Sequence, residues 1–329
     1  MNPSRRRALR TTAIVGGLLV LSFVLLGVQQ FQNFLTLGAV YALVALGYTM
    51  VYGIIELINF AHGDVFMVGA FLAMWIISVP LGLPDKPIDD PLRLAVVLLV
   101  VIVATMVVVG LAGVIIERFA YRPLRHAPRL APLITAIGVS FILQNIIQAV
   151  FSSSPYSVPQ IFPRIKLDLL GGRIGVLNIF MVVIAITLML ALQLFVSRTR
   201  LGRAMRSTAQ DREAAELMGV DINQTIAITF FIAAALAGAA GVIQGMYFGS
   251  IQYNLGFFAG LKAFTAAVLG GIGNTTGAAL GGFIIAFIEV GAAQLGFSRW
   301  SEVAVFTVLI LVLVFRPSGI LGQALGERA

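Results

Sequence analysis

The residues best equipped for chemistry crowd into one stretch, "INFAHGDV", Ile58 to Val65, with Glu56 just before it. A histidine beside a carboxylate can move protons or activate a nucleophile. Such catalysis needs a third, orienting group, and none accompanies His62 and Asp64 across Gly63. The only other histidine, His126, has no Cys or paired His/Glu neighbours at metal-ligand spacing. Cysteine is absent, which removes disulfides, thiolate metal sites and cysteine nucleophiles together. None of the lysines, Lys86, Lys166 and Lys262, closes a G-x-x-x-x-G-K-[ST] loop, so nucleotide hydrolysis at a P-loop is excluded. Asn59, His62, Asp64 and a lone Glu289 remain as candidates for a pathway or gate.

The elements that must position them are set by solvent. The chain has 329 residues, 59% hydrophobic and 11% charged. Its apolar runs repeatedly reach the roughly 17 to 25 residues needed to cross a bilayer. Because lipid offers no hydrogen-bond partner and the runs lack dyad alternation, the expected fold is an all-α polytopic membrane protein of eight to ten spans. The candidates are Ala13–Val28, Phe34–Tyr52, Gly63–Val79, Leu92–Ile116, Leu130–Phe151, Val176–Val196, Ile222–Met246, Ala259–Ile272, Gly277–Leu295 and Val303–Phe315. The third and eighth are short or polar at one end, so either reads as a crossing or as a broken, re-entrant segment. The basic N-terminus resembles a signal peptide, but no small-x-small cleavage site follows Val28, and it is read as an uncleaved first span.

Alternating ten spans from a cytoplasmic N-terminus places 15 of the 22 lysines and arginines inside. Reversing the orientation would invert that bias, so both termini are expected in the cytoplasm, with 1–12, 197–222 and 316–329 as cytoplasmic segments of a single transmembrane domain. The net charge of +8 is then a topology signal rather than a nucleic-acid patch. Sliding the chain by 195 positions sets Tyr52 on Tyr247 and Asn59 on Asn254. If the halves are spans one to five and six to ten, the odd number inverts the second half. Gly241, Gly245 and Gly249, and again Gly273, Gly277 and Gly281, recur at the spacing of helix packing seams. Glu289 falls near the middle of the ninth span and is expected to face a cavity or a partner rather than lipid.

The longest polar segment is "SRTRLGRAMRSTAQDREAAELMGVDINQT", Ser197 to Thr225. Thr208 and Asp211 read as a capping box, Arg212 and Glu216 as an i,i+4 pair, and Gly219 as a stop. A helix of about ten residues with an apolar Ala214, Leu217 and Met218 stripe is expected, either lying on the membrane or docking in another protein's groove. Within it, "GRAMRSTAQDREAAELMGV" resembles the coupling loop of ABC importer permeases, specifically the branched-chain amino acid permeases of the LivH type. "LGAVYALVALGYTMVYGIIELINFAHGDVFMVGAF", "ERFAYRPLRHAPRLAPLITAIGVSFILQN", "FFAGLKAFTAAVLGGIGNTTGAALGG" and "LVLVFRPSGILG" agree in order.

The resemblance implies a permease subunit paired with a second, LivM-like permease in a bacterial inner membrane. Two ATPase subunits would bind ATP and Mg, with no cofactor in this chain, and an extracytoplasmic solute-binding protein would deliver leucine, isoleucine or valine. Gly202, Ala204, Arg206, Ala209, Glu213, Ala214, Leu217, Met218 and Gly219 would then couple the spans to the ATPases. Ser152–Gly175 and Tyr247–Gly256 would meet the binding protein or simply be solvated. Urea, amides and other amino acids are alternative solutes. An ion-coupled transporter using Glu56, His62, Asp64 and Glu289 as a relay is the competing class. For "INFAHGDV" two readings stay open: Asn59 or Asp64 caps the next span at a solvated cytoplasmic turn, or the run gates the pathway.

Overall fold

The computed structural model describes residues 3–125, 127–128, 130–163, 165–169, 172–316 and 318–322. His126, and Arg129, Arg164 and Arg328 of the topology count, lie outside the described residues. In chain order the helices are α1 (Pro3–Ile55), α2 (His62–Ser78), α3 (Pro91–Ile116), α4 (Leu130–Phe151), α5 (Val176–Arg198), α6 (Arg200–Gln210), α7 (Arg212–Leu217), α8 (Ile222–Phe248), α9 (Leu255–Gly270), α10 (Thr275–Gln294) and α11 (Ser301–Phe315). A π-helical turn, Glu117–Tyr121, and a 3₁₀ turn, Arg122–Leu124, extend α3. Short strands β1 (Tyr156–Ser157), β2 (Lys166–Leu169), β3 (Gly172–Gly175) and β4 (Ser250–Ile251) lie in the loops.

Seven of the described helices are long and apolar enough to cross a membrane, and one of these stretches, Ala13–Ile55, holds 43 residues. The whole of α1 would measure about 80 Å at the α-helical rise, far beyond a hydrocarbon core of about 30 Å. It breaks at Gly27, whose φ of 67° and ψ of 170° are open to glycine, so the first two expected spans form one kinked helix. The two segments read as weak, α2 and α9, are the short apolar helices. At about 26 Å and about 24 Å they fall short of a full crossing.

Loops gather alternately at two ends. At one, β1 pairs antiparallel with β4, Tyr156 opposite Ile251, and the Ile88 amide donates to the Ile161 carbonyl at 2.9 Å. Gly175 N–H also reaches Gln32 Oε1 at 2.9 Å there. At the other, Arg125 Nη1 reaches Asn223 Oδ1 at 2.6 Å, and the Ile320 amide donates to the Leu269 carbonyl at 2.8 Å. Carboxylates and amides at helix starts satisfy free N–H groups: Asp90 for α3, Asp211 for α7, Asp221 for α8 and Asn274 for α10.

The centre is α8, with α1, α2 and α3 around it and α10 against α1. Apolar side chains of α4, α5 and α11, such as Ile134, Leu190 and Val314, point outward, as a lipid-facing rim requires. Lipid tails are as apolar as the core, so association depends on close backbone packing. A Cβ on Gly69 would sit 2.6 Å from Gly238 Cα, and one on Gly241 would sit 2.4 Å from the Phe66 carbonyl oxygen.

That packing locates the short helices. His62, at the start of α2, lies against Gly47, whose Cβ would also meet the Ala233 carbonyl. Ala233 is eleven residues into α8, about 16 Å from that end at the α-helical rise. From this depth α2 runs toward the β1–β4 end, where Phe71 packs on Phe151 and Tyr156. The start of α9 meets it, because a Cβ on Gly63 would strike the Gly256 carbonyl at 2.3 Å and Gly260 Cα at 2.7 Å. From there α9 runs to the opposite end, where Gly270 abuts Gly277. The two helices therefore start back to back inside the bundle and run apart.

Candidate functional site: a re-entrant centre and the α6–α7 pair

The segment between α1 and α2 enters the bundle before α2 begins, which changes the environment of "INFAHGDV". Asn59, His62 and Asp64 are 5%, 2% and 0% exposed, so the expected solvated turn is corrected to a buried one. The capping reading fails with it. Ala61 holds the cap position of α2 without a side-chain bond. Asn59 Oδ1 instead accepts from Tyr121 Oη at 2.6 Å. Asp64 Oδ2 accepts from Ser140 Oγ, and Oδ1 accepts from Gln144 Nε2 at 3.1 Å, both from α4. His62 stacks edge-on against Tyr48 at 4.8 Å between ring centres, and its Nε2 has no hydrogen-bond partner. No bond joins His62 to Asp64, in keeping with the missing third partner. Ser140 and Gln144 were legible as an i,i+4 polar pair on an apolar span, but their target was not.

Between α4 and α9, next to this cluster, lies a groove of about 410 Å³ lined by Tyr48, Phe60, Ser140, Phe141, Gln144, Asn254, Phe257 and Phe258 among others. A second, polar cavity of about 420 Å³ lies at the loop end holding α6 and α7. Glu56, Glu117, Tyr121, Arg125, Asp211 and Arg212 line it. Arg125 pairs with Glu117 there. Arg212 donates from Nη2 and Nε to the Ile54 carbonyl at 2.6 and 3.2 Å, directly before the re-entrant segment. Burial lowers the Arg212 pKa from its ordinary value, and Glu56 opposes that shift. The expected Arg212–Glu216 pair is corrected accordingly: the guanidinium is turned inward to the backbone.

The expected single helix of about ten residues, with Thr208 at its cap and Gly219 as its stop, falls across two helices. Thr199 caps α6 by accepting from the Gly202 amide at 2.9 Å, and Asp211 caps α7 by accepting from the Ala214 amide at 3.0 Å. Thr208 caps nothing; it is buried and donates to the Ala204 carbonyl at 2.8 Å. Gly202 must be small, since its Cβ would lie 2.3 Å from the Val196 carbonyl, to which Arg206 also donates. Met205 and Ala215 anchor the pair inward, and Ala209 packs partly buried against the core. Glu213 and Ala214 face out, and Leu217 and Met218 project at 88% and 84% exposure. Gly219 ends α7 with φ of 84°, as the sequence indicates.

Residues 30–314 match the family described as branched-chain amino acid transport system / permease component. The chain belongs to this family. It is 44% identical to the high-affinity branched-chain amino acid transport system permease protein BraD of Pseudomonas aeruginosa, over 90% of this chain and 95% of that one. It is 41% identical to the corresponding protein LivH of Escherichia coli over the same shares. A probable branched-chain amino acid transport permease protein LivH of Methanocaldococcus jannaschii is 28% identical over 85% of this chain and 88% of its own length. No solved structure matches.

Within this permease-family chain, Glu289 does meet partners, and they are its own. Lys262 Nζ lies 2.7 Å from Oε1, Tyr41 Oη donates to Oε2 at 2.7 Å, and Glu302 stands 3.7 Å from the same lysine. The alternating count leaves Lys262, at the outer end of the eighth segment, among the outside charges; the structure sets it mid-helix in α9 at 8% exposure, so it answers Glu289 rather than orienting the chain. Of the glycines expected as seams, Gly241 leaves no room for a Cβ against the Phe66 carbonyl, nor do Gly277 and Gly281 against the Gly270 and Ala266 carbonyls of α9. Gly245 makes only ordinary contacts with Val158 and Ile251. Gly249 and Gly273 are not seams but turn residues at φ of 65° and 89°, because each ends or follows a helix.

Proposed function

We propose that this chain is a permease subunit of an ABC importer for leucine, isoleucine and valine in a bacterial inner membrane. The observation that carries the reading is the match of residues 30–314 to the branched-chain amino acid permease component. The α6–α7 pair supports it: α6 is held to the bundle, while the Leu217–Met218 tip offers an apolar knob to a groove on an ATPase subunit. Arg212 links that knob to the Ile54 carbonyl, and Asn59–Tyr121 tethers the re-entrant segment that follows. Movement of α7 thus has a mechanical route to the start of α2, which makes Asn59, His62 and Asp64 gate residues. Glu289, neutralised by Lys262, holds α9 to α10.

Both termini are placed in the cytoplasm, on the side of α6 and α7, which holds 15 of 22 cationic residues in the alternating count. An inverted repeat of two five-helix halves, with the short α2 and α9 at matching positions, accounts for the packing. The second half of α1 corresponds to α8, α2 to α9, α3 to α10 and α4 to α11. The contacts α1–α10 and α3–α8, α2–α8 and α1–α9, and α2–α4 and α9–α11 then recur as symmetric pairs. Asn59 and Asn254 both precede the short helices. A second, LivM-like permease completes the pathway, and a solute-binding protein docks on the loops around β1–β4.

The test is uptake of labelled leucine by the complex assembled from this chain, its second permease, two ATPases and the binding protein. ATP-dependent uptake that stops when the ATPases are omitted is expected. Uptake that persists without ATPase and follows a proton or sodium gradient would sink this reading in favour of the ion-coupled one. A binding protein that binds urea and ignores leucine would overturn the solute alone.

A further inference from the structure

Asp64 is fully buried, and among the described residues no Lys, Arg or His nitrogen lies within ion-pair distance of it. Its partners, Ser140 and Gln144, are both neutral and both face the groove between α4 and α9. Two neutral donors satisfy lone pairs without cancelling charge, so the carboxylate's field extends into a cavity with low-dielectric walls. By donating to Asp64, Ser140 Oγ–H and Gln144 Nε2 leave acceptors turned from the carboxylate: Gln144 Oε1, and a Ser140 Oγ that accepts from Gln144 Nε2 at 3.4 Å and keeps one further lone pair. The Gln144 oxygen has no donor among the described residues' hydrogen bonds. Around them, Tyr48, Phe60, Phe141, Phe257 and Phe258 supply aromatic faces that attract a cation and accommodate an apolar chain.

We infer that this groove recognises the ammonium group of a small zwitterionic solute through Ser140 and Gln144, with Asp64 as the buried counter-charge that positions them. The inference rests on the proposed transport reading for the identity of the solute, though the preference for a cation rests on the groove alone. At about 410 Å³ the space holds one aliphatic amino acid with room to move through. It also explains why Gly256 has no side chain: a Cβ there would lie 2.7 Å from Asp64 Oδ1 and 2.5 Å from the Gly63 carbonyl. The carboxylate keeps its place under α4 because the α9 backbone can approach it.

The chain contains no cysteine, so an introduced cysteine is the sole thiol of this subunit, and labelling is read on this subunit after its separation from the complex. Phe257→Cys and, separately, Phe141→Cys are introduced at half-exposed groove positions in the assembled complex. Each is treated with cationic 2-aminoethyl and anionic 2-sulfonatoethyl methanethiosulfonate. The expected result is labelling about tenfold faster with the cationic reagent, relative to a free thiol, slowed by millimolar leucine. Adding Asp64→Asn, which retains an acceptor for Ser140, should abolish the preference, and Ser140→Ala should weaken it. Equal rates for both reagents, a preference unchanged by Asp64→Asn, or thiols that neither reagent reaches would each overturn the proposal. Leucine uptake is measured alongside. An Asp64-dependent cation preference without leucine uptake would refute the transport reading only, whereas uptake without the preference would refute the groove assignment only.

Discussion

Replacing Lys262 by Met should destabilise the protein far more than replacing Glu289 by Gln, although the two residues form one ion pair. The pair is close, 2.7 Å, with side chains only 10% and 19% exposed. At an effective dielectric of about 20 the gross attraction is about 6 kcal/mol, most of which desolvation offsets. What matters is the group left behind. Lys262→Met strands Glu289 with only the Tyr41 hydroxyl and leaves Glu302 as a second unanswered carboxylate. A loss of about 3 to 5 kcal/mol follows. Glu289→Gln leaves Tyr41 an acceptor and leaves Lys262 with Glu302, so the expected loss is about 1 to 2 kcal/mol. The double variant Lys262→Met/Glu289→Leu removes both charges and should recover at least about 2 kcal/mol relative to Lys262→Met. Equilibrium unfolding in mixed micelles, followed by the fluorescence of Trp75 and Trp300, measures all three. Equal losses for the two single variants, or a double variant no more stable than Lys262→Met, would refute the argument that a buried charge without its partner dominates.

Charge at the projecting tip tests coupling: Leu217→Glu with Met218→Glu should change stability by less than about 0.5 kcal/mol, given its exposure, yet abolish copurification of the ATPases. Arg212→Ala removes two bonds to the Ile54 carbonyl; it should cost about 1 to 3 kcal/mol and raise ATP hydrolysed per leucine transported, whereas a normal ratio would detach Arg212 from the coupling route. Gly281→Leu drives a side chain into the Ala266 carbonyl and should prevent accumulation of folded protein, while Gly16→Leu, with nothing within 4 Å, should leave the yield unchanged by fluorescence-detected size exclusion. Asp221→Ala removes the cap on the Gln224 amide and should lower unfolding free energy by about 1 kcal/mol.

Much of the architecture was legible because lipid enforces it. Runs of apolar residues with no internal partner for their backbone groups had to become helices, and ten segments chosen by length map onto the observed ones, two of them joined through the kink at Gly27. The weak third and eighth segments were detectable by their shortness alone. The P-loop was excluded, and the projecting Leu217–Met218 tip and the Gly219 stop were readable, since local sequence decides each. Local rules also misled: Thr208 had the right type and spacing for a cap, but Thr199 holds the start of α6 where α5 ends, and the break between α6 and α7 puts Asp211 at the start of α7.

Tertiary structure alone decided what the polar residues do. Asn59 and Tyr121 are 62 positions apart, Asp64 and Ser140 are 76, and Tyr41 and Glu289 are 248. No periodicity within a helix specifies such partners; they depend on which helix lies alongside and at what depth. That depth was fixed by glycines at the crossings of α2 with α8 and α9, which draw Gly63 and Gly256 together inside the bundle. Composition and hydropathy therefore determined that the chain is a bundle of membrane-spanning helices with polar residues in costly places. The close approach of backbones determined that those residues lie buried at a re-entrant centre instead of at a solvated turn.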